Sequence, residues 1–558
     1  MRNFPLLIAK AGSPGLCAVI ILASLMLPAR LSLAQQAVPP TSADSIIEQQ
    51  ERQRQRQQER REALDQVPAP GADATEDQEA DTVDETRFQL RSIRFTQTEQ
   101  LSREELTGIV SPWLEQQVSL RDLFQIVEQI NELYRSKEIF TSTALLPQQT
   151  VRDGVVIIQL VEGELGEVLV EGQQWTYDDW VRHWVGQGNS QDLNELDMNV
   201  LESNILLFNR LHDQQLQAQL RSGQAFGKTD IVVTVAEPDR NSIQLWVDNY
   251  GYETSGEYTL GFLYQRQKLI HDSDRGLVYT SFTEGSESLV VDYSSGIGYS
   301  RWRLGGSGSV TRTDIIDGPF EDADVESEAE QASLYSEYLV WSTSRFWADV
   351  RTTLGRSWSD SSALGEGISD TRLDRLDLTP RFTWLGADWR VNGSATYTLA
   401  REDDRYSSGD KRTMRLWYLT ANGLWRFLPE FYVLGRYEQQ ATTEKALPGT
   451  LAFNLGGPTT IRGLKPGLIS GDRGRFLQSE LHYDGLRGWG HVLDLSLFLD
   501  QGEYTSAFES DRFGAAGVGA SVYGGSGVSA DLTVAKHLNG ELREHNEWQF
   551  YGRLAWTW

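Results

Sequence analysis

Trp548-Gln549-Phe550-Tyr551-Gly552-Arg553-Leu554-Ala555-Trp556-Thr557-Trp558 closes the chain on an aromatic residue, and its pattern decides the fold. Trp548, Phe550, Gly552, Leu554, Trp556 and Trp558 alternate with Gln549, Tyr551, Arg553 and Thr557. A period of two sends successive side chains to opposite faces of a strand, so one face is apolar and the other polar. The same alternation begins at residue 240. Ile243, Leu245 and Val247 interleave with Gln244, Trp246 and Asp248, and Val391, Gly393, Ala395, Tyr397 and Leu399 with Asn392, Ser394, Thr396 and Thr398. Lipid outside and water inside demand this arrangement.

A membrane-crossing strand takes ~9–11 residues, and with its connection roughly 20. Residues 240–558 therefore predict about 16 antiparallel strands, an even number as bacterial barrels prefer. Such a barrel is wide enough to enclose water. Asp314–Glu330 carries eight acidic residues and no basic one, which fits an exposed surface loop.

Composition agrees with a bacterial outer-membrane barrel: aromatic residues make up 10% of the chain, with 17 tryptophans and 50 glycines. A soluble secreted all-β protein has the same gross composition, and the alternation above is needed to separate the two. The chain opens like an export signal, residues 1–34. Arg2 and Lys10 precede an apolar run from Leu16 to Leu27, and Ser32-Leu33-Ala34 supplies small residues for cleavage. That run is short for a bilayer span, and no later stretch approaches ~20 apolar residues. The single cysteine, Cys17, lies in the signal, so the mature chain has no disulfide, thiol nucleophile or cysteine metal site. The formal net charge of −28 argues against a nucleic-acid partner.

Ahead of the strands the chain divides further. In residues 35–66, the stretch Ser45–Gln66 is rich in Gln, Arg and Glu, with Ile46, Ile47, Ala63 and Leu64 its only apolar residues. A helix polar all round must bridge solvent, lie in a polar channel or stay disordered. Residues 67–86 form an acidic linker with Pro68, Pro70 and Gly71. Residues 87–163 read β-α-α-β-β. Phe88–Phe95 is the first strand, Ser102 and Glu105 a capping box, and Leu123, Ile126, Val127, Ile130 and Leu133 a helical stripe. Residues 164–237 repeat that order, so two α+β modules precede the strands of residues 238–558.

Two phrases inside the strand region carry the candidate site. Leu493, Leu495, Leu497 and Leu499 must face lipid, which turns Asp494, Phe498 and Asp500 inward. By the same parity Leu477, Leu481 and Tyr483 face out, and Gln478, Glu480 and His482 face in. From Gly456 to Gly474 there is no strand pattern, but six glycines, two prolines and the cations Arg462, Lys465 and Arg473. A connection of that length points to function. Folded inward, it would bring Arg462 to Asp500 as a forked charge-assisted pair. Exposed to water, such a pair contributes ~0–1 kcal/mol. Desolvated, loss of one partner costs about 3–5 kcal/mol. The seven histidines show no close metal spacing, and no nucleophile elbow, phosphate loop or calcium loop occurs. No catalytic residue, metal or cofactor is expected, and the chain does not read as an enzyme.

Gly456-Gly457-Pro458-Thr459-Thr460-Ile461-Arg462-Gly463-Leu464, followed by Gly471-Asp472-Arg473-Gly474 and then by Phe498-Leu499-Asp500-Gln501-Gly502, resembles the TpsB family. These are the outer-membrane pores of two-partner secretion, of the hemolysin activator and filamentous-hemagglutinin transporter type. The Gln/Arg helix, the tandem modules, which look like POTRA domains, and Val247-Asp248-Asn249 at the barrel's start belong to the same resemblance.

The resemblance implies a transmembrane β-barrel in the outer membrane of a Gram-negative bacterium, with two periplasmic POTRA domains and a plug helix at residues 45–66. Arg462, flanked by Ile461, Gly463 and Leu464, would tip an extracellular loop folded into the pore. It would pair with Asp500 of the Phe498-x-Asp500-x-Gly502 strand, with Glu480 as a second partner. The partner implied is a large secreted exoprotein with an N-terminal two-partner secretion domain, captured by adding a strand to a sheet edge. Outer-membrane lipid and the barrel-assembly machinery follow as further partners, the latter reading Trp558. A barrel-insertion factor of the same superfamily is the alternative, although such factors usually carry more POTRA modules and no polar plug helix. Three departures stand out. Leu464 replaces the usual aromatic after Arg-Gly, which removes a stacking contact. Glu138-Ile139 replaces the usual Gly-Tyr, and Ser222-Gly223 the usual Pro-Gly.

Overall fold

The computed structural model describes residues 87–558 apart from 99, 138–141, 148, 150, 152, 162–163, 187–197, 223–227, 319, 406–410, 526 and 540–547. The export signal, the polar helix, the acidic linker and the departures at Glu138, Ile139 and Gly223 lie outside the described residues.

In the first module, helix Arg103–Val110 starts at the capping box of Ser102 and Glu105. Helix Leu120–Ser136 starts at a second such box, Ser119 with Asp122, and buries Leu123, Ile126, Val127, Ile130 and Tyr134. Reciprocal bonds of this kind satisfy N–H groups that a helix start leaves unpaired. The expected strand Phe88–Phe95 is two short strands, Phe88–Gln89 and Ser92–Phe95. Leu90 between them plunges into the core, and Arg91 N–H bonds the Gly154 carbonyl at 2.8 Å. The first piece therefore pairs with Gln117–Val118 and the second runs parallel to Val155–Val161.

Strand Val155–Val161 is central, with Thr143–Leu145 antiparallel on its other side. The second module repeats this order. Lys228–Ala236 lies between the parallel strand Glu164–Glu171 and the antiparallel edge strand Gln215–Ser222. Helices Asp178–Gly186 and Met198–Leu211 cover it, with Trp184 and Phe208 fully buried.

Sixteen antiparallel strands then close into a barrel, from Asn241–Asp248 to Trp548–Thr557. Outward residues such as Leu334, Leu354, Trp384 and Phe550 are exposed for lipid, as their parity requires. Asp314–Glu330 is a loop only over residues 315–325. Strands Trp302–Asp314 and Glu326–Ser342 carry the ladder up to the pair Asp314↔Glu326. Neighbouring strands run to 20 residues, beyond the ~9–11 needed to cross, so the hairpins rise above the lipid band as sheet. There Glu326, Glu328 and Glu330 point out, while Ser327 and Ala329 are buried on the other face.

The barrel closes on a short seam. The last strand meets the first through five residue pairs, from Arg553↔Asp248 to Thr557↔Gln244, while the first two strands share eight. Both ends are extended. Trp558 exchanges backbone bonds with Ile243 at 2.9 and 3.0 Å. At the other end the Asn249 carboxamide takes the place of a strand residue. Its Oδ1 accepts from Gly552 N–H at 2.8 Å, and its Nδ2 donates to the Phe550 carbonyl at 2.8 Å. The side chains of Asp248 and Arg553, both buried, lie 3.6 Å apart across the seam. The Val247-Asp248-Asn249 phrase thus makes the closure.

The second module is seated on three turns at the rim that carries Asn241. Arg303 donates to the Leu211 carbonyl at 3.0 Å, Gln214 to the Asp272 carbonyl at 3.0 Å, and His183 stacks on Tyr299 at 3.8 Å. The Arg210 guanidinium lies 3.7 Å above the Trp347 ring.

At this joint His212 is buried among Trp180, Trp184 and Phe208. Burial, with the Arg303 charge nearby, lowers its pKa from 6.5 to about 3. Protonation is thus easier in the unfolded module than in the folded one. The stability of the module is undiminished by this group above pH 6.5 and falls as pH drops from 6.5 towards 3. His212→Phe removes that component. Melting of the module in the full-length protein should lose less between pH 7 and pH 4 in the variant than in the wild type. Parallel pH profiles would refute the assignment.

Candidate functional site

Between strands Phe431–Thr442 and Arg473–Gly488, which pair directly, the chain turns back into the barrel. A hairpin of Phe453–Leu455 with Ile469–Gly471 forms its neck. The stretch from Gly456 to Gly474, patternless in sequence, therefore contains a short strand. Beyond the neck the loop holds itself: Thr460 Oγ1 bonds the N–H of Gly456 at 2.7 Å, and Gly457 N–H donates to the Leu464 carbonyl at 2.8 Å. Its apolar side chains Phe453, Leu455, Ile461, Leu464 and Ile469 pack on Phe476, Tyr504, Phe513 and Ala515 of the inner wall. The wall here is apolar where the rest of the lumen is polar, because the loop covers it.

Arg462 stands at the tip. Its Nη2 bonds Asp500 Oδ1 at 2.6 Å, and its Nε and its own backbone N–H both bond Oδ2, at 2.9 and 3.0 Å. Nη1 reaches Glu480 Oε1 at 2.9 Å. The Arg462 side chain is 8% exposed and that of Asp500 0%, so this is a desolvated pair and the larger cost of losing a partner applies. The guanidinium also lies 3.5 Å over the Phe498 ring.

The spacing of Phe498, Asp500 and Gly502 now has a cause. All three face inward on one strand: Phe498 stacks the cation and Asp500 binds it. Gly502 leaves room for Ile461, whose Cδ1 would lie 3.0 Å from any Cβ there. Gly463 meets the opposite requirement, since a Cβ would come within 2.8 Å of both Ala515 Cβ and the His537 nitrogen. Leu464 does not leave the loop unanchored. Phe498 supplies the stacking, Leu464 is fully buried, and its carbonyl accepts from Tyr551 Oη at 2.7 Å.

Glu480 is held from behind. Its Oε2 lies 2.9 Å from His482 Nε2, and His482 Nδ1 lies 2.9 Å from Asp494 Oδ1. Tyr432 stacks on the imidazole at 4.5 Å and donates its hydroxyl to Asp494. Asp494 and His482 were placed inward by parity but given no role. Tyr432 and Tyr551 carried no signal, because their partners come from strands distant in sequence. Lys465 extends the loop's grip to Glu253 at 2.7 Å, on the connection after the first barrel strand. Among the described residues no group of three His, Cys, Asp or Glu is placed to hold a metal ion. Every polar atom around Arg462 serves to hold a segment of chain in place.

Filling the space at Gly502 should therefore expel the loop while leaving the ion-pair residues intact. With Ile461→Cys introduced into the cysteine-free mature chain, a membrane-impermeant maleimide should label the Gly502→Leu background at least ten times faster than the Gly502 background. Equal labelling would show that the loop does not depend on this contact.

The comparisons with known proteins meet this geometry. The model of the ShlB-type POTRA domain matches residues 88–163. The model of the haemolysin secretion/activation protein ShlB/FhaC/HecB matches residues 227–524. The heme/hemopexin transporter protein HuxB of Haemophilus influenzae is 22% identical over 505 residues, covering 84% of this chain and 86% of HuxB. Among solved structures, CdiB from Escherichia coli superposes with a TM-score of 0.64 at 19% identity, covering 94% of this chain and 100% of that one. BamA from Haemophilus ducreyi lacking POTRA domains 1–3 gives 0.53 at 13% identity, covering 85% and 100%. A family match spanning more than half the chain, on the strands that bear Arg462 and Asp500, makes this protein a member of the ShlB/FhaC/HecB haemolysin secretion/activation family, the TpsB transporters of the outer membrane.

Proposed function

We propose that the protein exports a large exoprotein, an adhesin, hemolysin or toxin, from the periplasm to the cell surface. The observation that carries this reading is a barrel whose lumen holds a loop through one desolvated, three-bonded arginine–carboxylate pair. A diffusion pore has no use for a retained loop or for periplasmic modules. A conduit that must stay shut until cargo arrives needs an obstruction that is stable yet removable. Breaking the pair costs several kcal/mol, within reach of a chain that folds outside and draws the remainder after it. No nucleotide site is needed.

Cargo capture falls to the modules. Gln215–Ser222 is an edge strand of the second sheet, with Gln217, Gln219 and Leu220 exposed. An extended segment of the exoprotein's secretion domain can add to such an edge through backbone bonds. The insertion-factor alternative shares the barrel fold, as the BamA superposition shows, but the sequence match to the secretion/activation family spans 227–524. Surface and medium proteomics separate the two. Loss of one large exoprotein on deletion supports export, and depletion of many barrels supports insertion.

Arg462→Ala and Asp500→Ala should each leave a heat-modifiable barrel in the outer membrane and reduce exoprotein in the medium below a tenth of the wild-type level. Normal export by both would remove the pair from the mechanism. Trp558 contributes its backbone to the seam and an exposed ring to the lipid face. Trp558→Asp should lower outer-membrane levels of the protein several-fold by weakening its recognition during assembly. Undiminished levels in quantitative blots would reject that role.

A further inference from the structure

The first polar residue above the outward apolar band, at the end away from the modules, is an arginine on six strands: Arg312, Arg356, Arg401, Arg415, Arg475 and Arg512. Glu330 and Asp374 hold the same level on two others. In a chain with 51 basic and 79 acidic residues, an excess of cations in this one row is opposite to the overall bias.

Four of the six are neutralised within the protein. Arg312 pairs with Glu328 and Glu287, Arg356 with Asp374, and Arg475 and Arg512 both with Glu503. Arg401 and Arg415 make no ion pair with any described residue, and both are exposed. The carboxylates nearest in register, Asp374 opposite Arg401 and Asp403 two positions along, are engaged by Arg356 and Lys411.

The two guanidinium groups belong to adjacent strands. Arg415 pairs with Leu399 and Arg401 with Thr413, so they are diagonal neighbours on one face, roughly 7–8 Å apart at the backbone and within reach of one another's side chains. Two like charges so placed repel unless an anion lies between them. Directly below, Tyr397 and Trp417 pack at 4.9 Å, an aromatic pair at the lipid–water boundary that offers a floor for a sugar ring. Arginine rather than lysine suits a tetrahedral oxyanion, because its planar fork binds two oxygens at once.

We propose that Arg401 and Arg415 bind the phosphate of a phosphorylated glycolipid in the outer leaflet, with Trp417 and Tyr397 against its sugar. The site rests on the reading of the chain as an outer-membrane barrel with its modules on the periplasmic side, which places this rim in the outer leaflet. The anchored lipid would border the hairpins that rise above the band.

Full-length protein in detergent, titrated with bisphosphorylated lipid A and followed by native mass spectrometry, tests the assignment. Arg401→Gln with Arg415→Gln should weaken lipid A binding about tenfold, the loss of one charge-assisted contact. Lysine at both positions should recover part of it, and Arg405→Gln, whose arginine is paired with Asp370, should bind as the wild type does. Phosphatidylglycerol and inorganic phosphate should bind weakly to all. Equal lipid A binding by the glutamine variant and the wild type overturns the site. Phosphatidylglycerol binding as tightly as lipid A overturns the glycolipid assignment. Absence of the wild-type chain from the outer-membrane fraction would instead overturn the barrel reading beneath it.

Discussion

A guanidinium taken out of water must find its counter-charge and its hydrogen bonds from the protein, and most of the lumen is organised around that demand. Removing such an ion from solvent costs several kcal/mol even after relaxation. Asp500 alone offers two oxygens, and both are used, one of them twice. Glu480 takes the remaining nitrogen and is itself held by His482, which Asp494 and Tyr432 hold in turn. The chain of contacts crosses three neighbouring strands, so the tip of one loop depends on the register of the wall. A slip of one residue would turn Asp500 towards lipid and leave the cation unpaired.

That dependence explains how much of the site was legible from sequence. Parity around Leu493–Leu499 was enough to turn Asp500 inward, and the same argument turned Glu480 and His482, because a strand in lipid has only two faces. The meeting of Arg462 with these carboxylates was less accessible, since it requires a loop to bend into the barrel. The resemblance to a family supplied that step. What remained hidden were contacts between strands far apart in sequence. Tyr551 reaches the loop from the last strand and Lys465 reaches Glu253 beside the first, and no periodicity links those positions. Leu464 shows the converse. Judged alone it removes a stacking contact, but Phe498 already provides the stacking.

The fold was read in the same unequal way. Alternation predicts sixteen strands because every one obeys a single rule, and the closed barrel has that number. Where the rule stops being sufficient, the expectation fails. Acidic residues from Asp314 to Glu330 looked like loop because charge usually marks the end of a strand. Above the lipid band, however, both faces of a strand can be polar, and the ladder continues through Glu326 and Glu328. Phe88–Phe95 failed for the reverse reason: its apolar residues are divided between two sheets and a core, and Leu90 belongs to the core.

The loop and the seam bear on one another through geometry. The seam is the shortest part of the cylinder, and it is reinforced by a carboxamide, a buried ion pair and a C-terminal backbone. The loop touches both sides of it, Tyr551 on the last strand and Glu253 after the first, while its tip is fastened to the wall at Asp500. A segment held at three places is a strap across the closure. Withdrawing Arg462 removes the anchor that keeps the other two contacts in line, and the Tyr551 hydroxyl, buried against the Leu464 carbonyl, then loses its acceptor. An unsatisfied buried donor is itself costly, so the wall and the seam favour the same occupied state. The loop leaves either with all of its contacts or with none, which is the behaviour that a barrier to passage requires.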